Sequence, residues 1–586
     1  MVKKLNWSEM RSLPPEKMAQ ARRALEAVRL GKPLGAALRE HSWNNAPLHK
    51  SALVAAYQQL VESGEWEPDE ALLAAIRLKP VRTLSGVTTV TVLTKPYPCP
   101  GKCIFCPDDA RMPKSYLPDE PGAMRALEHN FDPYTQVQSR LEALTAVGHP
   151  TDKIELLILG GTFSSYRRDY QACFVKQCFE ALNDDWWGHP HPPSRSTSYP
   201  KGIPAQYPPK VPAHRPGVLS GGGRGQGEGG ARGSGRPGAL SPAPTLAEIH
   251  IINETTLHRN VGLVVETRPD EITPDELAWF RTLGVTKVQM GVQSLDDTIL
   301  ELNQRGHTVA EAHRAVALLR AAGFKIVLHW MPNLLGATPE SDRADFPRLW
   351  EGLCPDEIKI YPTQLLENAP LYELWKRGEY RPYTTDELIQ LIADVKPSIP
   401  RYCRVNRIIR DIPSTHVVEG NKRTSLRQDV HVEMARRGAH CDCIRCREVR
   451  GEKVNPAALR LADLVYHPDG AEEHFLSFVT PEDQIAGFLR LSLPGADSPV
   501  TGLADLDGAA IIREVHVYGQ SLAVGTEQSG AAQHTGLGTR LLAEAEHLAR
   551  AKGYRRMAVI AAVGTRQYYL ERGFERGELY LRKSRF

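Results

Sequence analysis

Asp152-Lys-Ile-Glu-Leu-Leu-Ile-Leu-Gly-Gly-Thr-Phe-Ser-Ser-Tyr166 is the stretch on which the reading of the fold turns. Residues 154–159 are an apolar run of strand length, and Gly160-Gly161-Thr162 stops it with residues of turn type. The pattern recurs downstream. Strand candidates at 261–265, 286–292, 325–330 and 357–361 alternate with amphipathic helix candidates at 134–147, 274–283 and 309–322. Such alternation predicts a parallel sheet, either a barrel or an open doubly wound form. In both, working residues gather at the C-terminal ends of strands. Gly160-Gly161-Thr162, Glu266-Thr267-Arg268 and Gln293-Ser294 stand at such ends.

Upstream of this stretch lies Cys99-x3-Cys103-x2-Cys106, in PYPCPGKCIFCPDD (96–109). Three thiolates can hold an iron–sulfur cube with one iron left open for chemistry; half a zinc site is the alternative reading of the spacing. Far downstream, Cys441-x-Cys443-x2-Cys446 is a zinc half-site lacking a fourth ligand. Cys403 is the first candidate, with His440, His416 and His431 behind it, and a second iron–sulfur cluster is the alternative. Six of ten cysteines in two tight groups point to metal ligation, not a disulfide framework. Cys173, Cys178 and Cys354 read as buried structural thiols.

At 586 residues the chain exceeds one ordinary domain, and 41% hydrophobic with 24% charged residues describes a globular protein. It has no apolar run of 18 residues and no signal-peptide pattern, so a membrane is not expected and a cytoplasmic location is. Net charge is only +3, but positive charge is localised: 13 Lys/Arg against 9 Asp/Glu in residues 1–82, and 12 against 6 in 401–450. Such patches fit a phosphate-rich polymer or solvated helix faces. Residues 1–85 have helical apolar spacing. Residues 189–244 are Gly- and Pro-rich, with seven Lys/Arg and one Glu, and read as a disordered insert.

Beyond residue 458 come strand candidates at 473–479, 484–492 and 510–517. The turn Gln533-x-x-Gly536-x-Gly538 follows, then a helix at 537–552 closed by Gly553, then a strand at 557–563. Backbone N–H groups in such a turn, with a helix N-terminus behind them, can hold a pyrophosphate. With Tyr568-Tyr569 and Gly573-Phe574, this order resembles the GNAT acetyltransferase fold, in which the turn binds acetyl-CoA and a late tyrosine lies near the thioester. The first cysteine triad, with Phe105 before its last member, resembles the motif of the radical S-adenosylmethionine (SAM) superfamily. There the open iron chelates SAM, and reduction releases a 5′-deoxyadenosyl radical. The resemblance implies Gly160, Gly161 and Thr162 for the SAM amino group, and Glu266 with Arg268 for its polar groups.

The combination is similar to the family of the catalytic third subunit of Elongator. The likeness runs through LTKPYPCPGKCIFCP (93–107), GLVVETRPDEI (262–272), VQMGVQSLDD (288–297), NQRGHT (303–308), RVNRIIRDIPS (404–414), REVHVYGQ (513–520) and VGTRQYYLERGF (563–574). It implies an α/β multidomain chain: a helical, basic tRNA-binding domain (1–85), a radical SAM partial TIM-like barrel (86–370, with the insert), a zinc-linked connector (371–457) and a GNAT-type domain (458–586). The insert is a departure from the family pattern. The implied activity is modification of the tRNA wobble uridine at position 5. A radical formed on the acetyl methyl group of acetyl-CoA adds to the ring, and thioester hydrolysis leaves a carboxymethyl group. The implied partners are the tRNA anticodon stem-loop and an external electron donor, with self-association left open. Acetyl-CoA is expected against Lys153 from the barrel side, and against Glu514, Val515, His516, Val517, Gln533, Gly536, Leu537, Gly538, Thr539, Tyr568 and Tyr569 from the C-terminal domain. Two other readings stand beside this one: a protein lysine acetyltransferase with a structural radical SAM domain, and a tRNA-binding scaffold without turnover.

Overall fold

The computed structural model of the chain describes residues 13–79, 83, 85–184, 244–450, 454–518 and 536–584. Nearly all of the 189–244 insert lies outside the described residues, and so does Gln533 of the glycine turn.

Residues 13–79 carry four helices, Pro15–Arg29, Leu34–Glu40, Lys50–Glu62 and Glu70–Ile76. Ala21, Ala24 and Leu25 meet Leu53, Ala56 and Leu60 in a core separate from the rest, as their i, i+3/i+4 spacing dictates. This unit rests on the end of the helix Pro133–Thr145: Gln58 Nε2 donates to the Thr145 carbonyl at 2.8 Å, and Arg77 Nε to that of Gly148 at 2.6 Å.

Seven strands then form one sheet in sequence order: β1 (Thr88–Leu93), β2 (Lys153–Leu159), β3 (Arg259–Thr267), β4 (Lys287–Gln293), β5 (Lys325–Trp330), β6 (Glu357–Ile360) and β7 (Arg404–Ile408). All neighbours are parallel, and β1 does not pair with β7. A doubly wound sheet reverses its strand order at a switch point. This one never reverses, so it is an open, partial barrel. Two of its strands, β1 and β7, were not among the candidates, and β7 falls beyond residue 370, in the stretch assigned to the connector. Its sequence, RVNRI, has only two apolar residues and reads as polar loop.

The second sheet runs β13-β14-β12-β11-β10-β9-β8. Its strands are β8 (Arg460–Tyr466), β9 (Ala471–Val479), β10 (Ile485–Pro494), β11 (Ala509–Val517), β12 (Arg556–Val559), β13 (Glu575–Arg576) and β14 (Leu581–Lys583). Only β11 and β12 pair in parallel, and their register covers just Ala509–Ile512 against Arg556–Val559. Beyond Ile512 the two strands part. The helix Leu537–Ala551 packs its Leu537, Leu541, Leu542, Ala545 and Ala549 face into the core.

One hydrophobic core runs through both sheets. Arg513 of β11, fully buried, reaches into the barrel and meets Asp356 Oδ1 at 3.0 Å, the Phe324 carbonyl at 2.8 Å and Glu473 Oε2 of β9 at 2.8 Å. No helix among the described residues is long and apolar enough to cross a membrane.

Candidate active site

The loop after β1 carries the first cysteine triad to the C-terminal ends of the strands. The Ile104 N–H donates to the Asn303 carbonyl at 3.3 Å and the Leu371 N–H to that of Ile104 at 2.8 Å, pinning the loop on both sides. Cys103 Sγ accepts from Arg305 Nη1 at 3.2 Å. Cys99 Sγ accepts the Gly101 N–H at 3.4 Å and lies 3.4 Å from Thr162 Oγ1. A Cβ at Gly101 would come 2.2 Å from Arg268 Nη1, so the loop can lie this close to the arginine only with glycine there. Burial, reinforced by the neighbouring Cys103 sulfur, pushes the Cys106 thiol up to about 12. A thiolate here is one drawn out by a bound cation.

The surroundings fit an anionic cluster. Arg268 is held by Asp270 at 2.9 Å and by the Arg305 carbonyl at 2.8 Å, yet its buried Nη1 has no hydrogen-bond partner. Arg305 Nε and both ring nitrogens of His307 are likewise buried and unpartnered. Burial and then the Arg305 and Arg268 charges lower the His307 pKa to about 2, so the ring is neutral. Among the described residues, only Cys441, Cys443 and Cys446 bring three ligand atoms within 4.8 Å of one another. The first triad is wider, as a four-iron cube requires and a single zinc ion does not.

Gly160 and Gly161 have φ of 147° and 84°, and a Cβ at Gly160 would lie 1.8 Å from Thr94 Oγ1. Glu266 accepts from Tyr116 Oη at 2.8 Å and faces His329 Nδ1 at 3.7 Å. These groups, with Thr162 and Arg268, share the strand-end rim with the cysteines.

From this rim a single cavity of 720 Å³ descends through the half-barrel. Cys106 and Tyr116 line its top, and Glu514, His516 and Tyr569 of the C-terminal domain line its floor. Barrel interiors are ordinarily filled by branched aliphatic side chains; this one is charged. Near the floor, Lys287 pairs with Glu155 and lies 3.5 Å from Glu357. Lys325 pairs with Glu357 at 2.6 Å and with Glu514, which also meets Arg490 Nε at 2.9 Å. Burial opposes the charge on Glu357, but the two lysines outweigh it and hold its carboxyl well below the usual range. The same balance, with Lys325 and Arg490, lowers that of Glu514. Halfway up sit Gln289, His329 and Lys359.

At the floor, Glu514–Val517 is the part of β11 that has parted from β12. The His516 ring stacks on Phe488 with centroids 5.8 Å apart, and its buried Nε2 has no partner. Burial lowers the His516 pKa to about 4. The two tyrosines separate: Tyr569 lines the cavity, whereas a Cβ at Gly538 would meet Tyr568 Oη at 2.6 Å, placing Tyr568 at the helix start. Gly536 holds the N-cap with φ of 67°, and Thr539 Oγ1 accepts from Arg572. Lys153 starts β2, at the strand end opposite Gly160 and roughly 20 Å from it at the usual rise. It does not line the cavity. Burial lowers its pKa, and the adjacent strand start at Arg259 and Asn260 is capped by Gly564 of the C-terminal domain.

The charged lumen was missed in the sequence. A signal existed: buried parallel strands read as continuous apolar runs, yet KVQMGVQ, KIVLHW and EIKI place Lys, Gln, His or Glu at alternate positions.

Cys441, Cys443 and Cys446 form a compact, largely buried triad. Lys396 is fully buried beside the three thiols, and its Nζ has no hydrogen-bond partner. An orphaned ammonium beside three thiols suits a zinc–thiolate group of net negative charge. Cys403, the first candidate for the fourth ligand, is not in this group. Its buried Sγ faces the Arg404 carbonyl at 4.0 Å, and burial and then the nearby Cys443 sulfur push its thiol well up. His440 is exposed beside Asp442, His416 pairs with Asp119, and His431 also stands outside the group.

Comparison with known proteins gives three domain matches: the Radical SAM superfamily (residues 233–345), the Radical_SAM C-terminal domain (355–436) and the Acetyltransferase (GNAT) family (446–574). The second spans β7, in keeping with the seven-stranded sheet. The chain is 40% identical over 502 residues to the tRNA uridine(34) acetyltransferase of Dehalococcoides mccartyi, covering 84% of this chain and 96% of that one. It is 32% identical to Elongator complex protein 3 of Danio rerio, over 88% and 87% of the two chains. Among solved structures, archaeal Methanocaldococcus infernus Elp3 lacking residues 1–46 superposes with a TM-score of 0.65. It is 32% identical and covers 86% of this chain and all of that one.

Proposed function

Because the chain belongs to the family of the tRNA uridine(34) acetyltransferases and Elongator complex protein 3, we propose that its cavity is where an acetyl group from acetyl-CoA meets radical chemistry directed at tRNA. The protein is an enzyme that modifies uridine 34 of tRNA with acetyl-CoA, and it uses a 4Fe-4S cluster and SAM. The finer reading is that position 5 receives the acetyl carbon and the product is a carboxymethyl group. The observation that carries it is the continuity of one 720 Å³ cavity from Cys106 to Glu514 and Tyr569. An acetyltransferase acting on protein lysines needs no such passage into a barrel.

Cys99, Cys103 and Cys106 would hold the cluster, and Arg305 and Arg268 would offset its negative charge. When bound, cluster and SAM supply the hydrogen-abstracting radical that a C–H bond this strong demands. Gly160, Gly161 and Thr162 offer a rim that a ligand can approach without a Cβ in the way. The part of β11 that has left β12 offers a backbone edge to the pantetheine arm, and Gly536–Thr539 offers a helix N-terminus to the pyrophosphate. Tyr569 closes the floor against the thioester. Ion pairs hold the shape of the charged lumen. The uridine enters from an unpaired loop, where a base can be splayed out. An external donor supplies the electron.

The test is nucleoside analysis of tRNA incubated anaerobically with the cluster-loaded protein, a reductant, SAM and acetyl-CoA. Carboxymethyluridine at position 34 is the expected product, dependent on all three additions. An acetylated protein with unmodified tRNA, or product formed without SAM, would overturn the reading.

A further inference from the structure

The middle of the lumen contains a charge that the ion pairs below it do not neutralise. Lys359 lies on β6 one alternate position above Glu357, hence about 7 Å up the strand. It is 8% exposed and lines the cavity. Its Nζ donates to Gln289 Oε1 and sits 5.7 Å from the Tyr361 ring centroid. Among the described residues no carboxylate forms an ion pair with it, whereas Lys287 and Lys325 in the tier below each have two. An ammonium has three donors, and the Gln289 oxygen takes one of them. His329 Nε2 lies 3.3 Å from the same Gln289 oxygen, and burial with the nearby Lys359 charge keeps that imidazole neutral. Glu266, in register with Gln289 on the neighbouring strand, faces His329 Nδ1 at 3.7 Å, and the Arg410 and Arg305 charges also reach that ring, but none of them forms an ion pair with Lys359.

A buried ammonium without an ion-pair partner is destabilised unless something anionic or strongly dipolar meets it. The site lies between the acetyl-CoA edge of β11 below and the strand-end rim above, in the space the acyl group must occupy to be reached from the rim. We propose that Lys359, aimed by Gln289, is the acyl-oxygen subsite: it receives the thioester carbonyl oxygen of the acetyl donor, and the carboxylate once that thioester is hydrolysed. This rests on the reading of the cavity given above and specifies which group recognises the acyl end. Two free N–H donors on a fixed cation are the arrangement that stabilises oxygen with growing negative charge.

The test compares acetyl-CoA with CoA. They share the phosphates and the pantetheine arm, and differ only in the group assigned to Lys359. Titration calorimetry on the anaerobically reconstituted protein should show acetyl-CoA binding more tightly than CoA. In Lys359→Met, and in Gln289→Glu, which keeps the ammonium but gives it an internal carboxylate partner, this preference should fall by about tenfold or more. CoA affinity should be unchanged in both. With SAM, reductant, acetyl-CoA and tRNA, the variants should still form 5′-deoxyadenosine but yield less modified uridine for each 5′-deoxyadenosine formed. An acetyl-CoA preference that survives in both folded variants overturns the proposal. So does a loss of SAM affinity in place of the acyl preference, which would make Lys359 a partner of the SAM carboxylate. If the wild-type protein shows the acyl preference but modifies no tRNA, the functional reading fails and the subsite stands.

Discussion

Cys103→Ser separates the two metal groups at the level of single atoms. Cys103 is the sulfur that Arg305 touches at 3.2 Å, whereas the compact triad at 441–446 lies elsewhere with its own buried lysine. The variant should lose iron and sulfide and retain zinc, with acetyl-CoA binding unchanged; metal analysis by plasma emission checks both. Cys443→Ser should lose zinc and keep iron. Cys403→Ser should change neither, since its thiol stands outside the compact group, and zinc loss there would restore it as a ligand. Gly160→Ala adds a methyl 1.8 Å from Thr94 Oγ1 at a φ of 147°. Backbone strain of this kind costs ~1–3 kcal/mol. SAM affinity should therefore drop with little change in acetyl-CoA affinity, read by separate titrations. The cysteines and glycines were legible because their spacing or turn chemistry is local. Lys359, Gln289 and Lys325 were not, because a polar residue in a strand acquires meaning only when seven strands curl and turn it inward.

At the scale of elements, the ion pair between Lys325 of β5 and Glu514 of β11 joins barrel to acetyltransferase sheet at the cavity floor. Lys325→Met leaves Glu357 with only Lys287 and Glu514 with only Arg490. Removing one partner of a buried pair costs ~3–5 kcal/mol, and the shared partners here should keep the loss near the lower end. Urea unfolding measures it, and a double-mutant cycle with Glu514→Gln should return a coupling of at least about 1 kcal/mol; additive losses would mean the contact contributes nothing. The central strands β2 to β6 were readable because their apolar runs and flanking helices repeat. The edge strands were not: β1 alternates threonine with valine, and β7 carries two arginines and an asparagine on a sheet margin. Only pairing with β2 and β6 makes strands of them. The C-terminal sheet announced β9 to β11 through long apolar stretches, while the parting of β11 from β12 is a matter of register that no single strand encodes.

For the whole molecule, the relative placement of the two chemistries depends on Asp356, which is fully buried where the sheets meet. It takes Arg513 Nη1 at 3.0 Å and lies 3.4 Å from Arg490 Nη1, and Arg513 in turn pairs with Glu473 at 2.8 Å. Burial alone would raise the Asp356 pKa, but the arginines outweigh it and hold the carboxyl well below its ordinary range. A carboxylate with a depressed native pKa stabilises the fold above its unfolded value, about 4, and that contribution disappears as pH falls through the depressed native value. The docked arrangement should therefore be at full strength near neutral pH and weaken below about pH 4. Asp356→Asn removes the charge but keeps the shape, leaving Arg513 and Arg490 short of a counter-ion, and should cost ~3–5 kcal/mol at pH 7. The difference between wild type and variant, followed by chemical unfolding from pH 7 downward, should narrow as acid protonates the wild-type carboxyl. A difference that stays constant with pH would mean that packing, and not this charge cluster, holds the sheets together. Because the cavity floor is built from the C-terminal sheet and its walls from the barrel, the variant should also lose uridine modification more steeply than it loses acetyl-CoA binding, which the C-terminal sheet can support from its own residues.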